Sequence, residues 1–262
     1  MKLTAQVKLL PNPDQAFALL KTLEIANDAC NIISQKAWNA HCFRQFPLHH
    51  LTYQAIREIF PLAAQVVVRC ISKVADAYKV DQKVMRVFRP HGAIAYDNRI
   101  LSWKMDRSEV SIWTITGRMH IPFVCGERQR ELLVGIRGES DLCIREGRFY
   151  LSTSCEVKVP DPKLVTEALG VDLGIVNIAT DSDGIVYSGD SIETKRRIYS
   201  HRRRNLQRKK TKAAKRKLKK ISGKQARFQK DTSHLISKRL VQKAQDTGRA
   251  IAMEDLGGIR DR

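Results

Sequence analysis

The sequence has no apolar run approaching the ~20 residues that span a bilayer. Its first residues, Met1-Lys2-Leu3-Thr4-Ala5, lack the apolar core of a secretory leader, so no membrane partner and a cytoplasmic location are expected. Cysteine is sparse and unpaired: the closest of the six are twelve residues apart and no C-x-x-C occurs. That spacing argues against a zinc site and for reduced thiols. His49-His50 is the only His pair; adjacent side chains diverge, so it reads as loop rather than as ligands. The most informative absence is of acid. From Lys195 to Lys230 the chain carries 18 Lys or Arg and no Asp or Glu.

That absence explains the charge. The chain has 262 residues, 47 basic and 27 acidic, for a net charge of +20. Removing the 18 leaves 29 basic against 27 acidic residues, so nearly all the excess sits in that one stretch. Like charges at i,i+4 repel, so a helix without any acid loses stability unless an anion neutralises it. Tyr199, Leu206, Ala213, Leu218 and Ile221 give it a thin apolar stripe. The stripe lacks Trp and is too narrow for a membrane-surface helix, which leaves nucleic acid as the expected partner. Arg202, Arg203, Arg204, Arg208, Lys209, Lys210, Lys215 and Arg216 are the expected phosphate contacts. Such contacts position a nucleic acid without reading its sequence. Ser222-Gly223 is expected to break the stretch into two helices, a long basic hairpin whose second arm carries Phe228, Leu235, Leu240 and Ala244.

At 43% hydrophobic and 28% charged, the whole chain suits a folded soluble protein, and its periodicities predict an α+β fold. Leu3, Ala5, Val7 and Leu9 alternate with Thr4, Gln6 and Lys8, the pattern of a half-buried strand. Asn12 is placed to cap a helix with Pro13 in its first turn. Apolar residues follow at helical spacing from Ala16 to Ala37; further helices are expected over residues 52–60 and 62–80. From about Ile94 to Val159 the period falls to two, with turns at Thr116-Gly117-Arg118 and Glu146-Gly147. This predicts an antiparallel sheet or barrel that the first strand joins, making residues 12–88 a helical insertion within a domain of residues 1–160. Pro160-Asp161-Pro162 reads as a linker to a second domain, residues 164–262.

That domain opens on a short apolar strand, Ala168 to Leu173, holding one acid, Asp172. A carboxylate buried in a strand is costly unless a cation meets it. Gly170 and Gly174 leave room for a backbone or ligand nearby. Residues 177–180 and 185–188 read as two more strands joined at Asp183-Gly184, a hairpin signal. Arg249 to Met253 reads as another buried strand ending in Glu254. A sheet that sets the first and fourth strands side by side makes Asp172 and Glu254 neighbours. Paired carboxylates repel unless cations bridge them, and two divalent ions about 3.5–4 Å apart clamp a phosphodiester during attack by water.

Gly170-Val171-Asp172-Leu173-Gly174 resembles the first RuvC motif and Ile251-Ala252-Met253-Glu254-Asp255-Leu256 the second. With the basic helices between them, these motifs resemble the transposon-encoded TnpB (OrfB) family, relatives of the type V CRISPR effectors. The resemblance implies an amino-terminal wedge barrel interrupted by a helical recognition region, then a RuvC-like, ribonuclease-H-like domain. It implies an RNA-guided DNA endonuclease, with guide RNA and target DNA as partners and Asp172 and Glu254 as catalytic ligands of Mg²⁺. The family also carries a zinc ribbon and a third catalytic Asp after the second motif, which this sequence does not match. Asp261 is too close to Glu254, and Asp181, Asp183 and Asp190 are expected in turns. An incomplete, truncated nuclease domain that binds nucleic acid without cleaving it alone is therefore expected. Two alternatives stay open: a non-catalytic nucleic-acid-binding regulator derived from such a nuclease, and an actin-like-fold ATPase. The latter expects a Gly-Thr phosphate loop where Ile175-Val176 stands, and leaves the basic stretch unexplained.

Overall fold

In the computed structural model, residues 1–135, 137–159, 161 and 164–255 are described. The chain forms two units, Met1–Pro160 and Asp161–Arg262. Among the described residues no helix is long and apolar enough to cross a membrane. Pro160 and Pro162 of the expected linker lie outside the described residues, as does Asp261.

The first unit begins with β1 (Lys2–Leu9), whose Ala5, Val7 and Leu9 are buried while Thr4 and Gln6 face outward. Helix α1 (Pro13–Asn39) starts as the sequence predicts. The Gln15 N–H donates to Asn12 Oδ1 at 2.8 Å and the Asn12 N–H donates to Gln15 Oε1 at 3.1 Å, satisfying two donors that a helix start leaves open. Helix α2 (Gln45–Ile59) begins earlier than expected and takes in His49 and His50. Pro47 falls in its first turn, where a missing N–H costs nothing. His49 stacks on Tyr53 at 4.7 Å instead of lying in a loop. Leu48, Thr52 and Ile56, four apart, form the buried face of α2, and α3 (Ala64–Val80) buries Val66, Cys70 and Val74.

Seven strands follow one sheet order: β2 (Ile94–Tyr96), β6 (Arg137–Arg145), β7 (Arg148–Glu156), β1, β5 (Gly117–Val124), β4 (Glu109–Thr114) and β3 (Leu101–Lys104). Every pairing is antiparallel. The ends curl towards each other: the Tyr96 hydroxyl of β2 donates to the Trp113 carbonyl of β4 at 3.1 Å, so the sheet is a nearly closed barrel. β1 pairs along β7 from Lys2–Glu156 to Lys8–Tyr150, which leaves the three helices inserted between β1 and β2. The turns fall at the glycines: Gly117 and Gly147 have φ of +103° and +73°, values a side chain resists. A short helix, α4 (Glu127–Val134), lies between β5 and β6, where the sequence offers no clear period. All six cysteines are free.

The second unit is a four-stranded sheet in the order β10 (Val186–Ser188), β9 (Asn177–Asp181), β8 (Ala168–Asp172), β11 (Ala250–Met253). β8 and β11 run parallel; the other pairs are antiparallel. Between β10 and β11 the chain forms α5 (Asp190–Arg208) and α6 (Lys212–Asp246). The break predicted at Ser222-Gly223 does not occur. A helical glycine costs only about 1 kcal/mol relative to Ala, too little to stop a helix of 35 residues. The break lies at Lys209-Lys210-Thr211, where Lys210 has φ +50° and the Thr211 hydroxyl caps α6 by accepting from the Ala214 N–H at 3.1 Å.

Candidate functional site

β8 is not buried on both faces. Leu169 and Val171 point into a core with Ala179 of β9 and Ile236, Leu240 and Ala244 of α6. Strand alternation sends Asp172 to the opposite face, where it is exposed. It therefore needs no buried counter-charge. β11 is likewise an exposed edge strand, with Ile251 at 38% and Met253 at 58%, because it pairs only with β8. Gly174 meets the backbone: a Cβ there would lie 2.8 Å from the Asn177 carbonyl oxygen. Gly170 instead faces the side chain of Ser182.

The parallel register of β8 and β11 pairs Ile251 with Leu169, Ala252 with Gly170 and Met253 with Val171. Asp172 is the last residue of β8 and Glu254 directly follows the last paired residue of β11, so continuing the register brings the two together. Both line a cleft of about 570 Å³ with Gly170, Thr180, Asp181 and Ser182.

Asp181, expected in a turn, is instead the last residue of β9, paired across from Val171. Its side chain is fully enclosed and accepts from Lys243 Nζ of α6 at 2.7 Å. The backbone N–H groups of Asp183 and Ile185 donate to its other oxygen at 3.1 and 3.0 Å. Burial pushes its pKa up, but Lys243 and the two N–H groups outweigh that and hold it below the ordinary 3.8. Asp183 lies in the turn, and Arg249 grips it through two N–H donors at 2.8 and 2.6 Å. Arg249 first, then Lys243 at 2.8 Å, hold Asp183 well below the carboxylate range. Asp190 opens α5 rather than a turn. Lys243 and Arg249 lie outside the basic run, and no motif or spacing in the sequence marks them.

Asp172 and Glu254 offer hard carboxylate oxygens, and Mg²⁺ is commonly held by one or two carboxylates with water and substrate phosphate completing its shell. The donor set fits one such ion. Asp181 borders the cleft too, but its carboxylate is enclosed and engaged by Lys243. Among the described residues no group of three or more His, Cys, Asp or Glu is placed to hold a metal ion.

The predicted phosphate contacts lie on the helical hairpin. Arg202, Arg204, Arg208, Lys209, Lys210, Lys215 and Arg216 are exposed. Arg203 is half-buried and donates to Gln225 of α6, so it ties the two helices together. The apolar stripe read as one helix face is split between two. Tyr199 and Leu206 of α5 and Ala213 and Ile221 of α6 line a cleft of about 1090 Å³. Arg202, Lys209 and Arg216 line it too, joined by Lys217, Lys220 and Lys224, which the sequence reading passed over.

Residues 152–256 match the OrfB_IS605 family, described as "Probable transposase". No curated protein matches the chain. Among solved structures, the fold is similar to the protein of a Cas12f1–sgRNA–target DNA complex determined by cryo-electron microscopy, with a TM-score of 0.51 at 14% identity. The match covers 92% of this chain and 65% of that one, so the chain spans about two thirds of its length. The family match thus covers residues 152–256, and over most of its length the chain shares the fold of the Cas12f1 protein.

Proposed function

We propose that the chain binds guide RNA and target DNA, and that Asp172 and Glu254 are the carboxylates of a RuvC-like site for Mg²⁺-dependent phosphodiester hydrolysis. The observation that carries this reading is the β8–β11 register, which sets the two acids side by side at one open cleft. The cation-rich hairpin of the same unit supplies the attraction for a polyanion. In this reading Asp172 and Glu254 hold Mg²⁺, which supplies a polarised phosphate and an activated water when bound. The remaining work falls to the chain. The sheet fixes the spacing of the two carboxylates, and Lys243 keeps the enclosed Asp181 ionised.

A second reading is favoured by that same ion pair. With Asp181 engaged by Lys243, two carboxylates face the cleft, which suits a protein that grips nucleic acid without cutting it. Incubation with guide RNA, matching DNA and Mg²⁺ separates the two. Cleavage that vanishes in Asp172→Ala and Glu254→Ala supports hydrolysis. Salt-sensitive binding without cleavage supports the regulator. Cleavage that persists in Asp172→Ala contradicts the proposed site.

A further inference from the structure

The geometry points to the cleft between α5 and α6 as a seat for a single strand of nucleic acid, its bases on the apolar floor and its phosphates on the rim. This rests on the nucleic-acid part of the reading above and not on the metal site.

Two antiparallel helices normally close on an apolar seam flanked by opposite charges. Here the facing rows do the reverse. On α5, Tyr199, Arg202, Leu206 and Lys209 are spaced three to four apart and share a face; on α6, Ala213, Lys217, Lys220 and Lys224 do the same. With Arg216, six cations line the cleft, and no acidic residue does. Cations facing one another across a groove repel, and nothing lining it relieves them. The two acids of α5, Asp190 and Glu193, lie in its first turn, and Glu193 pairs with Arg196 at 3.4 Å and Arg197 at 3.0 Å. A polyanion is the ligand whose charge complements this groove.

The floor chooses among polyanions. Tyr199, Leu206, Ala213 and Ile221 add an aromatic ring and three aliphatic side chains to the same lining. The Tyr199 ring already has the Arg202 guanidinium 5.9 Å from its centroid, the pairing of aromatic and cation found where bases stack. A duplex presents stacked, paired bases inside and phosphates outside, so it has no use for an apolar floor. A single strand has free base faces for the floor and phosphates for the rim. A volume of about 1090 Å³ suits a short stretch of strand.

The test is fluorescence anisotropy of the full chain without divalent ions, comparing a labelled single-stranded oligonucleotide with the same sequence as a duplex. Tyr199→Ala is expected to weaken single-strand binding roughly 5- to 140-fold, the effect of losing one stacked base, and to leave duplex binding unchanged. Tyr199→Phe retains the ring and the affinity. Lys220→Ala is expected to lower the salt slope for single strands by about 0.7, one phosphate contact. Equal losses on both forms, or none with Tyr199→Ala, overturn the assignment. To separate binding from folding, a 4-thiouridine strand is photo-crosslinked to the unmodified chain. Crosslinks at Tyr199 or Leu206 support the seat, and crosslinks confined to residues 1–160 overturn it. Failure of metal binding at Asp172 leaves this measurement standing; a chain that binds neither form overturns the nucleic-acid reading itself.

Discussion

The two units are stabilised by different means. The first packs a continuous apolar core drawn from the barrel and all three inserted helices, including Leu23, Ile33, Val74, Tyr78, Ile112 and Leu151. The second has a core of six buried residues among those described, held by an ion cluster at one end and bearing a groove of unrelieved cations. Apolar burial is not weakened by charge screening and needs no ligand. Facing cations are sensitive to both. The first unit thus rests on apolar packing, while the second keeps an electrostatic deficit that, on the proposed reading, a polyanion offsets.

The largest expected effect is in the first unit. Leu23→Ala removes a fully buried side chain of α1 and should destabilise that unit by about 2–5 kcal/mol. All three tryptophans, Trp38, Trp103 and Trp113, lie there, so their fluorescence during denaturation reports it alone. A calorimetric transition of the second unit that moves equally would break the comparison. Next, RNA at a hundred times its Kd should stabilise the second unit by about 2.7 kcal/mol and leave the tryptophan transition in place. Calorimetry with and without RNA checks this.

Acid sharpens the contrast. Asp181 and Asp183 have folded-state pKa values below the ordinary 3.8, so their stabilisation is fully present above that value and is lost as pH falls through and below it. The second unit should therefore unfold in acid before the first. Asp181→Asn should weaken it at neutral pH by about 1.5–3 kcal/mol, one hydrogen bond to a charged group, and flatten its acid response. Urea melts at neutral and acid pH measure both. The smallest effect is a gain. Gly223→Ala in α6 meets only Arg227 Nη1 at 3.5 Å and should stabilise the hairpin by about 0.5–1 kcal/mol. A loss there would mean that the helix needs its glycine.

Where local chemistry decides, the sequence is legible. The Asn12 cap, the glycine turns and the Asp183-Gly184 hairpin are all written in short patterns, and β1 joins the antiparallel sheet as its alternation predicts. The juxtaposition of Asp172 with Glu254 follows once the strand order is assumed. What was not legible is long-range. Apolar residues alone cannot tell a strand covered on one face from one covered on both, so Asp172 and β11 read as buried although they are exposed. The Asp181–Lys243 pair joins residues 62 apart, which no spacing announces. The hairpin break was misplaced because Gly223 is a visible weak breaker, whereas the Thr211 cap that starts α6 is a quieter but stronger signal.

The central claim is that the β8–β11 register makes Asp172 and Glu254 one divalent-cation site. Mn²⁺, which shares the oxygen preference of Mg²⁺, tests it directly by electron paramagnetic resonance. The account predicts that the unmodified chain binds Mn²⁺, that Mg²⁺ competes, and that Asp172→Ala and Glu254→Ala each abolish the binding. Mn²⁺ binding that survives both substitutions would contradict it.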